Sequence, residues 1–167
     1  NILDFDNLAK EDIYVLDSPV LTNSQFKKFK KFFSKKIKVI DCTFEINSSL
    51  KDRIEIIREE CETAVREGSN ALILSDKNIS DERASIPTIL AVGAVHSHLV
   101  KLGLRGYCSL NVESSDALDT HSFAVLIGVG ATTINPYLAI DSIYQRFEKK
   151  LFGKSDFESC VLKFKKS

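Results

Sequence analysis

ALILSDK (Ala71–Lys77), IPTILAVGAVHSHLVKLGLR (Ile86–Arg105), SLNVES (Ser109–Ser114) and FAVLIGVGATTINPYLA (Phe123–Ala139) decide the fold class of this chain. Ala71–Leu74 is apolar at every position, as expected of a strand buried on both faces of a parallel sheet. The strand-like runs end in small polar groups: Ser75-Asp76, Glu113-Ser114-Ser115 and Asn135-Pro136. Each end leads into a helix-like segment. This rhythm predicts an α/β protein of successive βα units with a mostly parallel sheet, either doubly wound or resembling a partial (β/α) barrel. Such folds keep their chemistry at the C-terminal strand ends. Ser75, Asp76, Glu113 and Asn135, with Asp41 and Thr43 upstream, are therefore the candidate rim of a site.

Working outward, residues 1–20 read as an irregular lead-in closed by Asp17-Ser18-Pro19. A helix capped by Asn23 is expected next, with Phe26, Phe29 and Phe33 on one stripe and lysines on the other faces. Ile37–Phe44 reads as one strand. Ser49 with Asp52 then opens the best helix of the chain, whose stripe is Leu50, Ile54, Ile57, Cys61 and Ala64/Val65. Gly68 ends it as a residue that tolerates positive φ. Lys77–Ser85 is a polar loop, and Ser85 with Pro87 opens a helix that ends at Gly103. Tyr107–Val112 is a strand, Asp116–Ile127 a helix, Ala131–Ile134 a short strand and Pro136–Phe147 a last helix. Residues 148–167 read as a charged tail.

Length gives a single domain over 1–167, and 44% apolar with 28% charged residues is ordinary for a globular protein. Lys plus Arg equals Asp plus Glu at 23 each, so no global field points to nucleic acid or an anionic membrane. No apolar run reaches the ~20 residues of a membrane span, and NILDFDNLAKED has neither the basic nor the apolar region of a signal peptide. The chain has no methionine and begins at Asn1, so it is expected to be a fragment of a longer polypeptide. Cys42, Cys61, Cys108 and Cys160 include no CxxC pair and are read as free thiols in a reducing, cytoplasmic setting.

Individual motifs offer little chemistry. In Gly128-Val129-Gly130 a helix precedes and a strand follows, the reverse of a dinucleotide fingerprint. Asn135-Pro136 follows the last strand, where proline donates no amide to a phosphate. His96 and His98 are two apart on a helix and point to nearly opposite faces, which suits structural roles better than a shared metal. The lysines between Lys27 and Lys36 read as a solvated helix face. His121 stands near a helix start where it can face Glu113, and a carboxylate–histidine pair can work as acid and base. The alternative reading is therefore a stand-alone partial-barrel enzyme or flavin-binding module using Glu113 and His121.

A family resemblance runs through these segments in order: LDSPVL at Leu16–Leu21, DCTF at Asp41–Phe44, LILSD at Leu72–Asp76 and IPTILAVGAVHSHL at Ile86–Leu99. GLR at Gly103–Arg105, VES at Val112–Ser114 and INPYLA at Ile134–Ala139 complete it. The chain resembles the central domain of the glutamate synthase large chain. The resemblance implies a parent that converts glutamine and 2-oxoglutarate to two glutamates by reductive ammonia transfer. It implies partners within the same chain: an N-terminal glutamine amidotransferase domain and a C-terminal FMN-binding synthase domain that also carries a 3Fe–4S cluster. It implies no cofactor, metal or catalytic residue in this segment, which becomes an interdomain connector with Ser75, Asp76, Glu113, His121 and Asn135 as a contact rim. The sequence departs from the family pattern at Lys77, Ser97 and Leu118, where arginine, histidine and arginine are usual.

Overall fold

A computed structural model describes residues 14–166. The first helix of the described residues, α1 (Asn23–Phe32), opens on Thr22 and not on Asn23. Thr22 Oγ1 accepts from the Gln25 amide at 3.2 Å while Gln25 Oε1 accepts from the Thr22 amide at 3.0 Å, a complete capping box. The stretch expected as one strand divides at Cys42 into β1 (Ile37–Asp41) and β2 (Thr43–Glu45). Helix α2 (Leu50–Arg66) starts on Ser49, whose hydroxyl accepts from the Asp52 amide, and Gly68 follows it with φ +95°.

β3 (Ala71–Ser75) is buried at all five positions. The loop beyond it contains a short strand, β4 (Arg83–Ser85), antiparallel to β2. Ser85 thus lies in β4 and does not cap α3 (Thr88–Lys101). Pro87 holds the cap position and Asp116 accepts from the Thr88 amide at 2.9 Å. A 3-10 turn at Arg105–Tyr107 delays β5 to Ser109–Glu113. Helix α4 (Thr120–Gly128) starts later than its apolar pattern suggests, because Asp119 caps it through the Ser122 amide. β6 (Thr133–Asn135) and α5 (Tyr137–Glu148) follow. The segment read as a charged tail holds another helix, α6 (Phe157–Lys166). Its Val161 is buried, and its Phe164 meets Phe123 edge to face at 5.7 Å.

The main sheet is parallel in the order β1-β3-β5-β6. Every new strand is added on the same side, so right-handed crossovers put α2, α3 and α4 on one face. That is the winding of a partial barrel. A doubly wound sheet reverses its order at a switch point, and the order β1-β3-β5-β6 shows no reversal among these four strands. The outer face packs Ile40, Leu72, Leu74, Leu110, Val112 and Ile134 against these helices. Residues 19 and 20, expected to be irregular, and Leu21 extend the sheet beyond β6: Leu21 donates to the Ile134 carbonyl and Ile134 to that of Pro19, each at 2.8 Å. The far edge, at β1, has no strand beside it among the described residues.

The inner face alternates with the outer one; it is apolar at Ala71 and Ile73 and polar at Ser75, Ser109, Asn111, Glu113, Thr133 and Asn135. Asn111 is fully buried. Its amide donates to the Leu72 carbonyl at 3.0 Å, and its oxygen accepts from Thr133 Oγ1 at 2.8 Å. In a complete barrel this face would line the interior. Here α1 lies on it, with Leu21, Phe26 and Phe29 packed against Ala71 and Ile73. The last helix returns to the first, since Lys165 Nζ reaches Gln25 Oε1 at 3.4 Å.

Candidate functional site

Four of the five candidate rim residues are buried at the C-terminal ends of β3, β5 and β6, and each is held by its own domain. Glu113 is 4% exposed. Lys30 of α1 donates to both its oxygens at 3.0 Å, Lys77 approaches Oε1 at 2.9 Å, and Ser75 Oγ donates to Oε2 at 2.9 Å. The carboxylate of Asp76 accepts from the Ser115 amide at 2.8 Å and hydroxyl at 2.7 Å through Oδ2. Its buried Oδ1 has no hydrogen-bond partner among the described residues. Asn135 donates to the Leu21 carbonyl at 3.0 Å and to Asn23 Oδ1 at 2.9 Å, tying the start of α1 to β6. The fifth residue, His121, is exposed in the first turn of α4. The structure does not bring it to Glu113, whose partners are two lysines and a serine. The acid–base pair conceived from the sequence is not formed.

Asp41 and Thr43 make a separate cluster at the top of β1. Thr43 Oγ1 donates to Asp41 Oδ1 at 2.8 Å and accepts from Arg83 Nε at the same distance. Arg53 of α2 donates to the Asp41 carbonyl at 2.6 Å and Arg83 meets Asp41 Oδ2 at 3.3 Å. The arginines bind the small β2–β4 sheet to the main one.

Lys30 is the residue that sequence reasoning missed. The lysine face of α1 reads as solvated, yet the Lys30 ammonium lies over the Phe26 ring at 4.9 Å and on Glu113. The signal was present: Lys30 is four residues after Phe26 and so borders the buried stripe. Lys77 extends over the Tyr137 ring at 4.9 Å while paired to Glu113. Burial, then the Asp76 carboxylate, pushes the Tyr137 phenol up to about 12.

The histidines of α3 are taken up by different elements. His98 Nε2 meets Glu62 Oε2 of α2 at 2.9 Å, and His96 Nδ1 accepts from Arg105 Nε at 3.2 Å. Cys42, Cys61 and Cys108 are buried free thiols, with burial pushing the Cys42 thiol up to about 12 and the other two upward as well. Among the described residues no group of three His, Cys, Asp or Glu side chains is placed to hold a metal, and no helix is long and apolar enough to cross a membrane. The strand-end loops do not fit a flavin phosphate. The Ser115 and Thr88 amides are engaged by Asp76 and Asp116, and residue 136 is proline.

The sequence matches, over residues 1–167, the family described as glutamate synthase central domain. The chain belongs to that family. It is 44% identical over 170 residues to the large chain of NADPH glutamate synthase from Azospirillum brasilense, an alignment covering 100% of this chain and 11% of the relative. The corresponding large chain of Bacillus subtilis (strain 168) is 40% identical over 158 residues, covering 91% and 10%. The chloroplastic ferredoxin-dependent glutamate synthase of Oryza sativa subsp. japonica is 39% identical over 140 residues, covering 80% and 9%. The chain spans about a tenth of the length of these relatives.

In this glutamate synthase central domain the charge state of Glu113 bears on stability. Burial favours its neutral form. The hydrogen bonds from Lys77 and Lys30, the Lys30 charge and the Ser75 hydroxyl outweigh that and hold the carboxyl below its ordinary 4.5. A depressed folded-state value means the unfolded chain binds the proton first. The stabilisation is therefore present above 4.5 and is lost as pH falls from there through the folded value. Urea midpoints should fall more steeply below pH 4.5 in the unmodified protein than in Glu113→Gln, and parallel curves would refute the assignment.

Proposed function

We propose that this domain is a connector in a glutamate synthase polypeptide, holding catalytic neighbours in fixed relation while doing no chemistry itself. In that reading a glutamine amidotransferase domain releases ammonia, and an FMN-binding synthase domain with a 3Fe–4S cluster uses it to turn 2-oxoglutarate into glutamate. The parent is an oxidoreductase of nitrogen metabolism in a cytoplasmic, reducing setting that keeps the buried thiols unpaired. One observation carries the reading. The face that would be the interior of a barrel enzyme is occupied by α1, and the buried Glu113 carboxylate on it is neutralised by Lys30 and Lys77. A general acid or base has to reach its substrate within hydrogen-bond distance, and Glu113 has its own domain on every side.

The test is the Glu113→Gln substitution in the full-length polypeptide. Glutamate formation at 25 °C should keep its kcat within about twofold, because a structural carboxylate contributes through stability alone. A loss of about a hundredfold or more with the domain still folded is the signature of general acid–base catalysis. That result would replace the connector by the partial-barrel enzyme.

A further inference from the structure

We propose that the cleft between the start of α1, α5 and α6 binds a small apolar monocarboxylate, its hydrocarbon part along the helices and its carboxylate on Lys165. This goes beyond the connector reading and does not rest on it. The cleft has a volume of about 500 Å³, within the range of roughly 300–1,000 Å³ usual for small-molecule sites. Its apolar surface comes from Ile140 and Tyr144 of α5 and from Phe157, Val161 and Leu162 of α6. Ile140 and Val161 are buried, whereas Tyr144 and Leu162 are 50% and 52% exposed, so each helix keeps apolar surface open to a ligand. Phe157 stands edge to face against Tyr144 at 5.5 Å and joins the two walls. An apolar cleft with a few convergent polar groups is the usual form of a small-molecule site.

Lys165 sets the charge of the ligand. It lines the cleft, and its Nζ meets Gln25 Oε1 at 3.4 Å, beyond the ~2.7–3.2 Å of a good N–H···O bond. That oxygen already accepts from the Thr22 amide at 3.0 Å. Among the described residues no carboxylate forms an ion pair with the ammonium. Burial favours its neutral form, against the charge of Asp17. A partly buried ammonium in this state is stabilised by a ligand carboxylate through a charge-assisted hydrogen bond. The two acids that line the cleft do not fill that place. Asp141 accepts from Asn23 Nδ2 at 2.8 Å. Glu158 precedes Lys165 by seven positions on α6, about 10 Å along the axis. It therefore stands toward the far end of the ligand, where a second carboxylate would be repelled. One carboxylate and an apolar tail are the matching chemistry.

Equilibrium dialysis of the full-length polypeptide against decanoate tests the site, with decanol and decanedioate as comparison ligands. Decanoate should bind with a Kd below about 1 mM, and decanedioate about tenfold more weakly or worse. Lys165→Gln should weaken decanoate by about tenfold or more and leave decanol unchanged. Leu162→Asp, at a half-exposed position, should weaken both. Absence of decanoate binding up to about 1 mM overturns the site. So does uptake that neither substitution changes, which is nonspecific adsorption. Decanedioate binding as tightly as decanoate overturns the assignment to monocarboxylates. The connector reading fails on kcat and this site on dialysis, so the two failures are distinguishable.

Discussion

Gly130→Ala should be among the most damaging single substitutions in the domain. Gly130 has φ +118°, in the region L side chains rarely adopt, and a methyl group there would fall within the His96 ring. The ring cannot simply turn away. His96 Nδ1 accepts from Arg105, which also donates to the Cys108 carbonyl at 2.6 Å and the Gly130 carbonyl at 2.9 Å. Backbone strain costs about 1–3 kcal/mol and overpacking a similar amount, so a loss of roughly 3–5 kcal/mol is expected. That is a large share of the ~5–15 kcal/mol typical of a domain. Denaturant unfolding checks it, and a loss below about 1 kcal/mol would contradict the packing described. His96→Ala in the same chain should cost less than additively, because the first substitution has already displaced the ring.

Phe26→Ala is the second large effect. Phe26 is 2% exposed and stacks on Phe29 at 5.8 Å with rings nearly parallel, under the Lys30 ammonium. Truncation of a buried phenylalanine costs about 3–5 kcal/mol. Here it also loosens the helix that covers the inner face. Phe32 on the same helix is 43% exposed and should cost little when replaced by alanine. Equal losses for Phe26→Ala and Phe32→Ala in denaturant titrations would mean that α1 is not seated on the sheet as described.

The βα rhythm was legible because each signal was local. Ala71–Ser75 is buried throughout, Ser49 caps its helix, and Gly68 and Gly103 end theirs. The resemblance to the glutamate synthase central domain was legible too, since its motifs are contiguous. The division at Cys42 was not. It depends on Arg53 and Arg83, distant in sequence, engaging Asp41 and Thr43. Helix α6 was obscured by its charges, although Phe157, Val161 and Phe164 keep a helical spacing. At the candidate site the strand ends were placed correctly, but the partners were not foreseeable. An amphipathic pattern identifies the buried stripe of α1 without specifying which face of which sheet receives it. Once α1 lies on the inner face, Lys30 meets Glu113 and His121 is left outside.

The contact between Lys165 and Gln25 spans 140 positions of sequence. The folded domain therefore brings α6 back beside α1, so that residues 25 and 165 are neighbours. Were the intervening 140 residues unfolded, their ends would wander roughly 60–70 Å apart, using 5–6 Å per square root of residue number. The folding free energy of this domain is thus also the energy that holds a distance. A substitution deep in its core, such as Gly130→Ala or Phe26→Ala, acts on the separation of Gln25 and Lys165.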